Sequence, residues 1–346
     1  MVRVVFFGTP VFAVPSLEAL IRSSHEVVAV VSQPDRPRGR GQQLQATPTK
    51  HVALTHGISV LQPAKIRDEA FLQQIRDLRA DLGVVVAFGR ILPDALLAIP
   101  PLGMINVHAS VLPRYRGAAP IQRAIIAGDV ETGVTIMRVE RELDAGPTFA
   151  VATMPIPPDA TSGDMEAVLA TLGAQLLLPV VDDLALGRAV ETPQDHSRAT
   201  HAPKITKDEG VIDWNQPADA IHNLVRGLQP WPLASTHLNG ARIVLRRTLG
   251  VRSANRPNPG VRSADRPDTG ARARDSALAP GKGRSADLTP GRPGTVVHAA
   301  GDELIVACGG GTLLQILELQ PEGRRTMTAR DFLAGHGVTE GARFTS

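Results

Sequence analysis

Apolar and polar positions alternate in blocks along the first half of the chain. Val2–Phe7 is an unbroken apolar run, the pattern of a strand buried on both faces, and Gly8-Thr9-Pro10 ends it. Pro15–Ile21 then predicts a helix, with proline at its first turn. Glu26–Ser32 predicts the next buried strand. After a long polar stretch come a helix near Thr49–His56, a short strand near Ile58–Leu61 and a helix over Asp68–Leu78. Asp81–Phe88 and Met104–His108 are two further apolar strands separated by a short helix at Pro93–Ile99. Helices follow at Ala118–Ala127 and Asp164–Leu186, and between them Gly133–Val139 and Thr148–Pro155 form a strand pair around Asp144-Ala145-Gly146-Pro147. Strands alternating with helices imply βαβ units, hence an α/β domain with a doubly wound, mainly parallel sheet over residues 1–189.

Residues 190–207 are polar and contain two prolines, as an interdomain linker does. From 208 the predicted strands are short: Ile212–Trp214, Ala234–Leu238, Arg242–Arg247, Gly294–His298, Glu303–Ala307 and Thr312–Leu319, with one helix at Ala218–Leu228. This pattern predicts a smaller C-terminal β-barrel or β-sandwich over 208–333, followed by a tail at 334–346. Residues 250–293 interrupt it with the near-repeat GVRSANRPNP, GVRSADRPDT and the decayed copy GARARDSALA. That segment is poor in apolar residues, so burial cannot offset its ordering entropy. The expectation is a disordered insertion in a hairpin loop.

Composition narrows the function classes. Of 346 residues, aromatics are only 3%, which disfavours stacking platforms for single-stranded nucleic acid. The net charge of +3 is compatible with an RNA partner without arguing for one. One cysteine, Cys308, rules out an internal disulfide and a cysteine-based zinc site. No apolar run reaches membrane-spanning length, and the N-terminus is broken too early for a signal peptide. A cytoplasmic protein without a membrane partner is expected. Gly8 stands alone after the first strand, so neither a dinucleotide fingerprint nor a phosphate-binding loop is present.

The chemistry-bearing segment is Met104–Gly117, MINVHASVLPRYRG. Residues i and i+2 of a strand share a face, so Asn106 and His108 project side by side at the carboxyl end, where open α/β sheets place their sites. An amide beside an imidazole suits a reaction that develops negative charge on a carbonyl oxygen. A third group is needed to orient the imidazole. Asp144 is a candidate, and it reads equally well as a plain turn aspartate.

The run HASVLPRYRGAAPIQ at His108–Gln122, together with Leu-Asp-Ala-Gly at Leu143–Gly146, resembles the formyltetrahydrofolate-dependent formyltransferase family. GTPVFAVPSLEAL at Gly8–Leu20, PDRPRGRG at Pro34–Gly41, KITKDEGVIDW at Lys204–Trp214 and QPWPLAS at Gln229–Ser235 resemble the branch whose amine substrate is methionyl initiator tRNA. The likeness runs from residue 1 to about 248 and from about 294 to 333. It implies a catalytic Asn106, His108 and Asp144, and a folate-contacting segment of Ser110, Val111, Leu112 and Pro113 beside Phe88. It also implies 10-formyltetrahydrofolate as co-substrate with no metal. A primary amine attacks the formyl carbon, donors from Asn106 and His108 meet the oxyanion, and Asp144 relays the proton.

The long stretch Gln33–Lys50 carries Arg36, Arg38, Arg40 and Lys50. By itself it reads as a solvated loop. The resemblance implies that it approaches the tRNA acceptor stem, mobile until RNA binds, with Lys204, Lys207, Arg226, Arg242, Arg246 and Arg247 adding a broad basic surface. The chain departs from the family pattern at Gln42-Gln43, at Phe88 where relatives often carry tyrosine, and at the insertion. Sugar-amine formyl transfer, formyltetrahydrofolate hydrolysis, and an RNA-binding protein without the chemistry are the competing expectations. A monomer is expected.

Overall fold

The computed structural model describes residues 1–38, 43–251 and 291–346. The 252–290 part of the insertion and the tip of the 33–50 segment, with Arg40, lie outside the described residues. The chain divides into two compact units, Met1–Lys207 with Arg226–Pro232, and Asp208–Val225 with Leu233–Ser346.

In the first unit a seven-stranded sheet runs in the order Thr148–Pro155, Glu131–Arg138, Met104–His108, Leu82–Val86, Arg3–Gly8, Glu26–Val31, Ser59–Leu61. The last five are parallel, and the first two are added antiparallel at the edge. Chain order reverses beside Arg3–Gly8, which is flanked by Glu26–Val31 and Leu82–Val86. A crevice therefore opens at the carboxyl ends of Arg3–Gly8 and Leu82–Val86. The apolar runs alternate between two cores, as expected for strands covered on both faces. Val4, Phe6, Ile105 and Val107 point to one helical layer, and Val5, Phe7, Val85 and Met104 to the other.

The helix Ser162–Ala185 is, by length and composition, long and apolar enough to cross a membrane, contrary to the expectation of no such segment. Its buried stripe, including Met165, Leu169, Gly173, Leu177 and Val181, packs on the sheet and on helix Val14–Arg22. It is thus a core helix of an α/β layer. A capping box starts it: the Thr161 hydroxyl accepts from the Asp164 amide at 3.2 Å, and Asp164 accepts from the Thr161 amide at 2.9 Å. The Thr161 hydroxyl, which donates to Asp164 Oδ2 at 2.6 Å, and after it the Thr161 amide hold the Asp164 carboxyl below its ordinary range. Thr161→Ala is expected to cost about 1 kcal/mol of stability, measured by denaturant unfolding. The Asp164 contribution is complete above the ordinary carboxylate pKa and is lost as the pH falls through the lowered folded value.

The second unit is an antiparallel sheet ordered Val296–Ala300, Glu303–Ala307, Leu313–Pro321, Ala241–Val251, Ala234–Leu238, Phe344–Thr345, with Met327–Thr328 on the third. It curls until its ends meet: Phe344 N–H donates to Gly294 O and Val296 N–H to Ala342 O, both at 2.8 Å. Three expectations change. Ile212–Trp214 is no strand; only the bridge Val211–Ser235 forms there. The insertion joins Ala241–Val251 to Val296–Ala300, which are not neighbours in the sheet, so it does not cap a hairpin. Residues beyond 333 are no loose tail, because Phe344 is buried against Trp214, ring centroids 5.5 Å apart, and its strand pairs with Ala234–Leu238. Cys308 lies in this core, where burial pushes its thiol up to about 12.

Candidate active site

Strand Met104–His108 sits in register with Leu82–Val86 on one side and Glu131–Arg138 on the other, with Asn106 opposite Met137 and His108 opposite Thr135. Ile105 and Val107 enter the core, which turns Asn106 and His108 together to the other face. The His108 Nε2–H donates to the Tyr115 carbonyl at 2.9 Å. A carbonyl only accepts, so this bond puts the proton on Nε2 and presents Nδ1 to Asp144. His108 Nδ1 lies 3.7 Å from Asp144 Oδ2, and both side chains are nearly buried. The Asn106 side-chain amide has no protein partner among the described residues and lines the cavity.

Asp144 stands in a turn between two antiparallel strands, with φ of +51°, in the left-handed region that non-glycine residues rarely occupy. Its Oδ2 accepts from the Gly117 N–H at 2.8 Å. Hence the loop after His108 returns to hold the aspartate, although the two residues lie far apart in sequence.

These groups face one cavity of about 570 Å³ at the carboxyl edge of the sheet. Its wall includes the apolar Phe12, Phe88, Ile91, Leu92, Ile121 and Val139, the polar Asn106, His108 and Asp144, and the charged Arg90, Arg141 and Glu166. This size and mix of apolar walls with a few convergent polar groups fit a flat heteroaromatic ligand.

The sequence-derived folate segment is not brought there. The chain turns inward after Ala109. Ser110 Oγ donates to Arg114 O, Ser110 O accepts from Thr135 Oγ1, both at 2.7 Å, and the Leu112 amide donates to the same hydroxyl at 3.2 Å. Leu112 is buried, and Pro113 O accepts from the Thr200 amide. Ser110, Val111, Leu112 and Pro113 are absent from the cavity wall. They brace the loop that carries Tyr115 and Gly117, because their polar groups are consumed by Arg114 within the loop, by Thr135 of the neighbouring strand and by Thr200.

The basic candidates separate. Arg36 is exposed on a short strand, Arg36–Arg38, that pairs antiparallel with Gln43–Gln45. The Arg38 side chain lies outside the described residues, as does Arg40. Lys50 is not a free cation: it belongs to helix Pro48–Thr55, and its Nζ donates to Asp35 at 2.6 Å and to Gln62 at 2.8 Å. The Lys50 bond, and after it the Gln62 Nε2–H donated to Asp35 Oδ1 at 2.7 Å, hold the Asp35 carboxyl low. Gln33 ties the same base to the cavity, donating to Phe88 O at 3.1 Å and accepting from Arg90 at 3.0 Å. Polar contacts thus anchor the described base of a segment that carries no apolar anchor. Lys204 and Lys207 are exposed. Arg226 is buried and donates to Ala160 O, while Arg247 pairs with Glu318 at 2.9 Å.

Sequence reasoning missed Gln194, Arg116 and Glu166. Gln194 falls in the stretch that reads as a linker, yet Thr192 bridges Thr148 and His201–Ala202 pairs in parallel with Arg116–Gly117. No periodicity marks so short a pairing. Glu166 follows the buried Met165 on a helix whose sequence signals only a core face; burial raises its pKa.

Comparison with known proteins bears on this geometry. The family profile described as Formyl transferase matches residues 2–181, and that described as Formyl transferase, C-terminal domain, matches 204–337. The methionyl-tRNA formyltransferase of Trichlorobacter lovleyi is 44% identical over 98% of this chain and 96% of its own length. That of Pelobacter propionicus is 45% identical over 98% and 94%. Among solved structures, an N-formyltransferase from Helicobacter canadensis, in complex with folinic acid and dTDP-3-aminofucose, aligns with a TM-score of 0.62 at 16% identity. The alignment covers 91% of this chain and 99% of that one, and at this identity the likeness is one of fold.

Proposed function

Since this chain belongs to the formyltransferase family through both of its units, we propose that its cavity transfers the formyl group of 10-formyltetrahydrofolate to the α-amino group of methionine on initiator tRNA. One observation carries the chemistry: Asn106, an amide without a hydrogen-bond partner among the described residues, lies two residues before an imidazole whose Nδ1 faces a nearly buried carboxylate. The amine substrate follows from the relatives, which match nearly end to end and bear that activity in their names.

The donor supplies an activated formyl carbon to an incoming amine. Phe88, Ile91, Leu92 and Val139 would hold its flat head, with Arg90 and Arg141 at the polar rim. Asn106 donates its amide N–H to the formyl oxygen as negative charge develops, and His108, once its Nδ1 also carries a proton beside the Asp144 carboxylate, adds a second donor from that atom. Asp144 takes the proton that the amine must lose and returns it to the departing nitrogen, directly or through water. No cysteine takes part, in keeping with a direct transfer.

Arg36, Lys204 and Lys207 serve as phosphate contacts in this reading, together with Arg38 and Arg40. The protein acts as a cytoplasmic monomer and needs no metal; light scattering and a chelator-treated assay check the last two points. The central test supplies purified protein with 10-formyltetrahydrofolate and charged initiator tRNA. Formylmethionyl-tRNA is the expected product, and formylation of a nucleotide-linked amino sugar in its place would overturn the assignment. Replacing Lys204 and Lys207 together by alanine is expected to raise KM for tRNA at unchanged kcat. The dependence of log KM on log salt should flatten by about 1 for each phosphate contact removed.

A further inference from the structure

We infer that Gln194 and Arg116 form a clasp that holds Asp144 facing His108, and that both are positioning residues for the transfer. The inference rests on the roles of His108 and Asp144 proposed above.

Gln194 is buried, and its amide is used at both ends. Nε2 donates to the carbonyl of Asp144 at 2.9 Å and to that of Gly146 at 2.7 Å. Oε1 accepts from Arg116 Nη2 at 2.8 Å and Nε at 3.2 Å. The orientation of this amide is forced, because carbonyls only accept and a guanidinium only donates. Arg116 is buried as well, with Glu142 Oε1 at 3.6 Å from its Nη1.

Position in the chain gives the clasp its meaning. Tyr115 receives the His108 ring on its carbonyl, and Gly117 gives its N–H to the Asp144 carboxylate. Arg116 lies between them and reaches the Asp144 backbone through Gln194. Three consecutive residues therefore set the imidazole, the turn and the carboxylate relative to one another. Asp144 has a positive φ, a conformation that persists only where its surroundings over-determine it. Its side chain is held by Gly117 and its carbonyl by Gln194. Without Gln194, Asp144 keeps the Gly117 bond to its carboxylate but loses the bond to its carbonyl, and Gly146 loses the same donor.

The test uses Gln194→Glu. This variant keeps the shape and the acceptor toward Arg116, but sets a carboxylate oxygen against two carbonyls. The expected result is a fall in kcat of about tenfold to a hundredfold, the scale of a displacement near 1 Å, with KM for both substrates within about twofold. In an Asp144→Asn background the same change should add almost nothing, because a residue acting through Asp144 has nothing left to position. A merely structural stitch would give losses that multiply, and that outcome overturns the inference, as does full activity of the single variant. Hydrogen exchange over residues 139–148 should rise in Gln194→Glu and stay unchanged over Arg3–Gly8. This readout needs no substrate, so it tests the clasp even if wild-type protein fails to formylate tRNA, and unchanged exchange overturns it. If Gln194→Glu does not fold, Arg116→Lys keeps the charge, removes the forked donation and is read in the same three ways.

Discussion

Asn106→Ala is expected to lower kcat for formyl transfer by about a hundred- to a thousandfold, the usual loss of one oxyanion donor, while KM for the formyl donor changes little. The reason is where the side chain stands. Its amide makes no hydrogen bond to the described protein, so truncation leaves no buried group unsatisfied. Its backbone stays in register between Leu82–Val86 and Glu131–Arg138. The loss therefore belongs to the transition state and not to the fold. His108→Ala should fall by at least as much, and it should also release the Tyr115 carbonyl. Steady-state kinetics with thermal unfolding on the same samples checks both variants. Near-normal turnover in either would remove that residue from the site.

Gly117→Ala is expected to be the most disruptive single-methyl change near the site. Gly117 has φ of +127°, a conformation that glycine adopts readily and alanine does not. A Cβ there would lie 2.6 Å from the carbonyl oxygen of Ala202, a backbone atom held by parallel pairing with this same residue. Since backbone has to move, strain and lost pairing should together cost about 2–4 kcal/mol, within the range of large point-mutant effects. The displaced N–H would also release the Asp144 carboxylate, so activity should fall more than stability alone explains. Denaturant unfolding measures the first effect, and kcat on the remaining folded protein measures the second. A stable, fully active Gly117→Ala would show that neither the pairing to Ala202 nor the bond to Asp144 matters.

The parallel strands were legible because each carries a dense apolar run that only a doubly covered sheet accommodates, as Val4, Val5, Phe6 and Phe7 show by splitting between two cores. Helix Asp94–Leu97 and the strand pair around Asp144 were legible for similar local reasons. Residues past 333 were misread, because Phe344 acquires its meaning only from Trp214, far away in the chain. Ile212–Trp214 looks like a short β run in sequence because its apolar–polar–apolar alternation, Ile212-Asp213-Trp214, has the period of a half-buried strand. The Trp214 Nε1–H bond to Thr236 at 3.0 Å belongs to a core and not to a ladder.

The site divides the same way. Strand periodicity alone puts Asn106 and His108 on one face, and the strand's carboxyl end puts them at the crevice. Those are local properties, and they follow from a repeat of two residues along an extended chain. Tertiary structure alone decided which polar side chains are spent. Lys50 is consumed by Asp35, and Ser110 by the turn that braces His108. Asn106 is left without a partner among the described residues and lines the cavity. Gln194, from a stretch without hydrophobic pattern, reaches the backbone of Asp144. A hydrogen bond between distant residues leaves no periodic trace in composition or spacing, because its partners are chosen by the packed chain and not by their neighbours in sequence.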